Sequence, residues 1–378
     1  MTSILIVAAE SSGDRHAAGL VRAYKELDPA ARFFGTGGSA LAGQGVEILH
    51  SVRELSLVGV AEILTALPRV KRIFNRIVAE CEARRPAAAV LVDSPDLNLR
   101  LAKALRRRGI PVLYYISPTV WAWRRGRLKT IKANVDKMLL IFPFERDIYR
   151  EAGIPAVYVG HPLVERLKVD LDRAAFLRRQ GLDPARRIVT LLPGSRRSEL
   201  RYHTPVLAEA AARLRERFAV DLVLVLAEEL SEADLEDALP PGGRAGLNVV
   251  RGGALEAMAA SELVLSSCGT ATLEAALLGI PLVAFYKISG LTYTFGRPFV
   301  RSGPYCIVNI LAGETVVPEL IQRGFTAGRL ETEARRLLES DEARASMRVA
   351  FAAVRAGLGD DAASPGAARE LAALIGGD

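Results

Sequence analysis

Cysteine is scarce in this chain, and its placement excludes more than it offers. Cys81, Cys268 and Cys306 are the only three, far apart and odd in number. With no CxxC pair, a disulfide framework or structural zinc site is not expected, and a reducing compartment is the natural setting. Histidine is also sparse: His16, His50, His161 and His203 are scattered. Sequence pairs none of them with Cys268, so a thiol nucleophile finds no support. The chain opens directly into Ile4-Leu5-Ile6-Val7, without the charged region, longer apolar run and cleavage site of a signal peptide. No apolar run reaches the ~18–20 residues that a spanning helix needs. The expectation is a cytoplasmic protein that touches a membrane, if at all, from one side.

What remains is a chain of 378 residues, half of them apolar, which is long enough for two domains with full cores. Fifty Lys and Arg against 43 Asp and Glu leave a formal charge of +7, which favours phosphates, anionic lipid or nucleic acid as partners. The basic residues are dispersed and no reader motif occurs, so a nucleic-acid role is disfavoured.

Apolar strands alternate with amphipathic, helix-length segments. The expected strands are 4–8, 87–92, 112–116, 137–142, 156–159, 188–192, 221–226, 248–251, 262–266 and 282–286. Their Val, Ile and Leu runs lack polar alternation, as in strands buried on both faces of a parallel sheet. The pattern breaks once, after Gly160-His161-Pro162. The expected division is a domain over 1–165, a linker over 166–186, a second domain over 187–330 and terminal helices over 331–378, the last returning to the first domain. Two doubly wound α/β domains would place ligands at the carboxyl ends of their strands, in a cleft between them.

Chemistry-bearing residues gather at those strand ends. Strand 4–8 runs into Glu10-Ser11-Ser12-Gly13-Asp14, where small residues let a ligand approach a helix N-terminus. The spacing is not that of a dinucleotide fingerprint. Strand 87–92 ends in Asp93-Ser94-Pro95-Asp96-Leu97-Asn98. One of its two carboxylates suits a general base and the other a helix cap, though two capping aspartates read equally well. In the second half, Leu192-Pro193-Gly194-Ser195-Arg196 offers a hydroxyl and a guanidinium to phosphate oxygens, without the lysine of a P-loop. Gly269-Thr270-Ala271 opens a helix whose free N–H groups suit a pyrophosphate, with Glu274 one turn in for ribose hydroxyls. Ser117-Pro118-Thr119-Val120-Trp121-Ala122-Trp123-Arg124 carries both tryptophans. It suits a sugar pocket, a stacked base or a membrane interface, or simply a core. The stretch 57–78, with Leu57, Val58, Ile63, Leu67 and Phe74 among its apolar positions, fits a helix on an anionic bilayer and a helix packed on a sheet equally.

Together and in this order, these segments resemble the lipid-A-disaccharide synthase family from Ile4 to about Leu320; Phe142-Pro143-Phe144-Glu145, Gly160-His161-Pro162 and Asn309-Ile310-Leu311-Ala312-Gly313 also match. The resemblance implies a GT-B fold, two facing Rossmann-like domains, and a metal-independent, cofactor-free inverting glycosyltransferase. It implies transfer from UDP-2,3-diacylglucosamine to 2,3-diacylglucosamine 1-phosphate (lipid X) at the inner leaflet, giving a β-1,6 disaccharide 1-phosphate and UDP. By the same resemblance the base is Asp96, with Asp93 in support. UDP falls to Ser195, Arg196, Gly269, Thr270, Ala271, Glu274 and Asn309. The sugars lie near Glu10, Ser12, Gly13, Asn98, Ser117 and Trp121, and acyl chains or membrane meet Leu57, Val58, Ile63, Leu67 and Phe74. The chain departs from the family pattern at Ala9, Ser11 and Cys268, and in a shorter stretch from Tyr305 to Asn309, which bears on the role of Asn309. The rivals are another UDP-N-acetylglucosamine-dependent GT-B transferase, a UDP-N-acetylglucosamine 2-epimerase, and a non-catalytic lipid binder on the same scaffold. Oligomeric state, a homodimer included, is not legible.

Overall fold

The computed structural model describes residues 2–55, 60–121, 124–167, 172–290, 293 and 303–377, without the side chains of residues 53, 55 and 60–67. It divides into two compact units, Met1–Glu165 with Leu358–Asp378, and Arg166–Gly357. The stretch 166–186, expected as a linker, lies in the second unit. Its helix Arg173–Gln180 buries Phe176 and Leu177, and packs on helix Ala254–Ala260. The stretch 331–378, expected as terminal helices, divides at Leu358, with Leu358–Asp378 in the first unit.

The first unit holds strands β1 (Ser3–Ala8), β2 (Arg32–Gly37), β3 (Glu47–Ser51), β4 (Ala88–Val92), β5 (Val112–Tyr115), β6 (Lys137–Leu140) and β7 (Ala156–Tyr158). They form one sheet in the order β3-β2-β1-β4-β5-β6-β7, and neighbouring pairs are parallel. Side chains alternate across a strand, so each strand feeds two cores. Leu5, Val7, Leu91, Val112 and Tyr114 face one way, against Ile73, Ile77, Leu101 and Tyr149. Ile4, Ile6, Val90, Leu113 and Tyr115 face the other, against Leu20, Val21 and Leu371. Leu371 belongs to helix Ala363–Gly376, which lies along helix Ser11–Leu27. Their approach is close: a Cβ on Gly19 would fall 2.4 Å from Ser364 Oγ.

The second unit holds β8 (Arg187–Leu192), β9 (Val220–Leu226), β10 (Leu247–Arg251), β11 (Leu263–Ser267), β12 (Leu282–Tyr286) and β13 (Glu319–Ile321). The order is β10-β9-β8-β11-β12-β13, again parallel.

Three strands, β2, β3 and β13, were not expected from the sequence. β2 carries Gly35, where a Cβ would fall 1.9 Å from Ile6 O, so the strand tolerates only glycine there and reads as a loop. β3 and β13 are edge strands of mixed polarity, and β13 has three residues. Among the described residues no helix is long and apolar enough to cross a membrane.

Both strand orders reverse once. In such sheets a crevice opens outside the carboxyl ends of the strands at the reversal, here β1 with β4 in the first unit and β8 with β11 in the second.

Candidate active site

In the first unit the reversal brings the β1 and β4 loops side by side, since Ala8 pairs with Val92 at the last rung. Asp93 and Ser94 follow with φ of 50° and 45°, two successive left-handed residues that are not glycine. Each such residue costs about 1–3 kcal/mol and persists only where its surroundings hold it. Here Tyr114 OH donates to Asp93 O at 2.6 Å, and Asn98 Nδ2 donates to Val92 O at 3.0 Å and Asp93 O at 2.8 Å. Pro95 then starts helix Pro95–Arg106.

This bend separates the two carboxylates. The Asp93 carboxyl is drawn inward and pushed up to about 6, chiefly by burial and then by the negative charge of Glu10. Asp96 points outward, its side chain 76% exposed. Its Oδ1 accepts from Arg127 at 2.7 Å and from Arg124 at 3.2 Å. The aspartate expected to serve as base is therefore held between two guanidinium groups, and the one expected in support is the carboxyl that burial pushes up.

Asn98 is fully buried. Its amide nitrogen clips the loop, while its Oδ1 and the Ser94 hydroxyl are buried without partners among the described residues. Glu10 is exposed and Ser12 half-buried, and Gly13 is buried where the helix crosses Ala8 and Val92. Asp14, in the same motif, is structural: its carboxylate accepts from the N–H groups of Gly38, Ala40 and Leu41, capping helix Ser39–Gly43.

After β5, the Ser117 hydroxyl lies 2.7 Å from Tyr149 OH, and Trp121 meets Phe144 edge-on at 5.5 Å. Phe74, half-buried on helix Val60–Arg84, packs on the sheet core. Ile63 and Leu67 lie on the same helix where side chains are not described, and Leu57 and Val58 fall outside the described residues.

In the second unit, Gly194 has φ of 121°, and a Cβ there would fall 2.2 Å from Glu199 Oε2. That close approach lets Glu199 accept from Ser195 N at 2.8 Å and Arg196 N at 3.3 Å. Those N–H groups are engaged, whereas the Arg196 guanidinium extends outward, 67% exposed, with Glu199 at 3.9 Å. Beneath the loop sits His203, fully buried and kept neutral by burial. Nδ1–H donates to Pro193 O at 2.6 Å and Nε2 accepts from Lys287 N at 3.0 Å, tying the ends of β8 and β12 together. Neither Glu199 nor His203 was foreseen. The signal was faint: His203 lies on the same apolar helix face as Leu200 and Leu207.

After β11, Gly269 and Thr270 are exposed at the start of helix Thr270–Leu277. First-turn N–H groups of a helix have no partner within it. Glu274 is buried and paired with Arg166 at 2.6 Å. Cys268 beside them is no nucleophile, since burial pushes its thiol up.

Asn309 differs from expectation. Fully buried, it donates to Val317 O and Glu319 and accepts from Val316 N and Val317 N. An amide has two N–H groups and two lone pairs, and all four are used. Asn309 shapes the loop ahead of β13 with its whole side-chain amide.

Two reversed parallel sheets, one with a buried carboxylate at its crevice and the other with an arginine and a helix N-terminus, define the GT-B class of nucleotide-sugar enzymes. Solved structures agree on the fold. A UDP-GlcNAc 2-epimerase from Neisseria meningitidis bound to UDP-GlcNAc superposes with a TM-score of 0.69 at 12% identity, over 100% of both chains. A UGT transferase from Siraitia grosvenorii in complex with UDP gives 0.63 at 12%, over 99% of this chain and 100% of that one. At the sequence level, residues 4–364 match the family model described as lipid-A-disaccharide synthetase. The lipid-A-disaccharide synthase of Myxococcus xanthus is 43% identical over 98% of this chain and 97% of its own, and that of Geobacter sulfurreducens 41% over 99% and 97%. The chain belongs to the lipid-A-disaccharide synthase family, and is a glycosyltransferase.

Proposed function

We propose that the protein transfers 2,3-diacylglucosamine from its UDP conjugate to the 6-hydroxyl of 2,3-diacylglucosamine 1-phosphate (lipid X), with inversion at the anomeric carbon. The observation that carries the mechanism is the Asp93 carboxyl, buried at the β1/β4 reversal and raised to about 6. A general base works best with a pKa near the operating pH and free to take a proton. Asp93 meets the first condition, with the Ser94 backbone N–H on its carboxyl, whereas Asp96 Oδ1 is engaged by two cations, Arg124 and Arg127. The base role therefore moves from Asp96 to Asp93, and Asp96 orders the two arginines.

As Asp93 removes the proton, the acceptor oxygen attacks the anomeric carbon from the face opposite UDP, giving the β-1,6 link. Negative charge grows on the departing pyrophosphate. Arg196 and the N–H groups at Gly269–Ala271 are the donors suited to meet it, and such a donor is commonly worth about 2.7–4 kcal/mol in the transition state. Ser195 and Thr270 offer hydroxyls beside them. Glu274, paired with Arg166, is the carboxylate assigned to the ribose, and Glu10, Ser12 and Gly13 line the acceptor side. Diacylated substrates reside in a bilayer, so the enzyme works at the inner leaflet from the cytoplasm. The charge of +7 supports docking there.

The test is UDP release from UDP-2,3-diacylglucosamine, with and without lipid X, in the presence of EDTA. Release that requires lipid X and survives chelation is expected. Conversion of UDP-N-acetylglucosamine without any acceptor would point to an epimerase, and binding without release to a lipid carrier.

A further inference from the structure

Two motifs, Phe142-Pro143-Phe144-Glu145 and Gly160-His161-Pro162, play no part in the mechanism above, yet they meet at the carboxyl ends of β5, β6 and β7. The rings form a continuous row. His161 lies 5.0 Å from Phe142, Phe142 stacks on Phe144 at 5.6 Å, and Phe144 meets Trp121 at 5.5 Å. His161 is held neutral, its ring pushed down to about 3 by burial and by His16, and it belongs with the apolar surface. At the end of the row the Trp121 indole N–H is buried and has no acceptor. Most buried side-chain donors have a partner, so an unsatisfied one beside an aromatic row calls for an acceptor, which a ligand can bring.

Beneath the row lies a second unusual group. Glu145 is 1% exposed. Its carboxyl meets the Ser117 hydroxyl and the backbone N–H groups of Phe142 and Ile141, and burial pushes it up to about 8. Ser117 in turn meets Tyr149 OH at 2.7 Å and donates to Pro118 O at 2.9 Å, at the root of the segment that carries Trp121. Two phenols follow: Tyr149 on the same helix, on which the Glu145 charge acts, and Tyr114 on β5, coupled to Tyr149; burial pushes both up, and Asp93, then Tyr149, Arg127 and Asp96, also act on Tyr114.

We propose that Trp121 supplies a hydrogen bond to an acyl carbonyl of the sugar-lipid substrate, and that Glu145, acting through Ser117, is the positioning residue that holds Trp121 in place. An indole is donor-only and needs an acceptor. In an aromatic row an ester or amide carbonyl is the better fit, because a hydroxyl would bring a donor of its own to satisfy. The inference rests on the transferase reading for its substrate, but the positioning half stands apart from it. Below pH 8 the Glu145 carboxyl is neutral and the network is complete. As pH rises through about 8 it must carry a charge in a buried site, which loosens the segment.

Both tryptophans of the chain, Trp121 and Trp123, lie in this segment, so intrinsic emission reports on it alone. Acrylamide quenching of the wild type is expected to rise at least twofold across pH 7–9, to stay low in Glu145→Gln, and to be high throughout in Glu145→Ala. A rise in Glu145→Gln equal to wild type, or none in wild type, overturns the positioning role. Should Glu145→Ala fail to fold, Ser117→Ala serves in its place. For the hydrogen bond, Trp121→Phe is expected to raise KM for diacylated substrate about tenfold, with less than twofold change for an ether-linked analogue lacking the carbonyl. Equal effects on both, or none on either, overturn it. Absence of any transfer by the wild type would instead overturn the transferase reading, and the quenching titration would still decide the positioning role.

Discussion

The two units share one architecture and use it for opposite chemistry. Both are parallel sheets with a single reversal of strand order, and both carry their polar residues on the loops that leave it. The first unit gathers carboxylates there, Glu10 and Asp93, with Asp96 beyond. The second presents a guanidinium and a helix N-terminus. Backbone strain differs as well. Six described non-glycine residues have positive φ, and four of them, Asp93, Ser94, Ile116 and Arg124, lie in the loops after β4 and β5. In the second unit the corresponding turn falls to Gly194, at little steric cost. A site that must bury an anion needs a bend that side chains enforce, whereas one that must admit an anion needs open backbone and exposed positive charge.

The sharpest way to break this comparison is to remove the buried charge. Asp93→Asn is expected to lower kcat by about 100-fold or more, and to unfold at a higher temperature than wild type at pH 8. The sign follows from linkage. A carboxyl whose folded pKa is raised to about 6 stabilises fully below its unfolded value, and that stability is lost as pH rises through 6. The asparagine escapes the loss. Asp96→Asn is expected to cost ~10-fold or less, since its contribution is to order two arginines. Equal losses in the two variants would return the base to Asp96.

On the other unit, Arg196→Ala is expected to lower kcat by ~10²–10³ with the melting temperature unchanged, because its side chain is exposed. A third pair compares the clips beneath each loop. Asn98→Ala and His203→Ala each leave buried backbone groups unsatisfied, at about 1–3 kcal/mol per group. Denaturant unfolding should register both losses. Steady-state kinetics should separate them, with Asn98→Ala acting on kcat and His203→Ala raising KM for the UDP-sugar.

Much of this was legible in the sequence. Ten strands stood out by their apolar runs, eight of them inside a sheet and two, β7 and β10, at an edge, and the loops after β1, β4, β8 and β11 stood out because each carries small and polar residues at once. The misses share a cause. Gly35 in β2 is explained only by Ile6 O at the neighbouring strand, and β3 mixes polar with apolar residues while β13 has three residues, too few for a pattern. The roles of Asp93 and Asp96 depend on which way a strained turn faces. Those of Asn309, Glu199 and His203 depend on backbone partners that adjacent sequence does not reveal.

The smallest expected effect is the most direct test of the central claim, that Asp93 is the base and Glu10 tunes it. It is the acid limb of kcat/KM against pH in wild type and Glu10→Gln, with the same substrates so that their own phosphates titrate alike. Glu10 raises Asp93 through its charge, so the limb, near pH 6 in wild type, should move to lower pH in the variant. A limb that stays in place while activity persists would contradict the account.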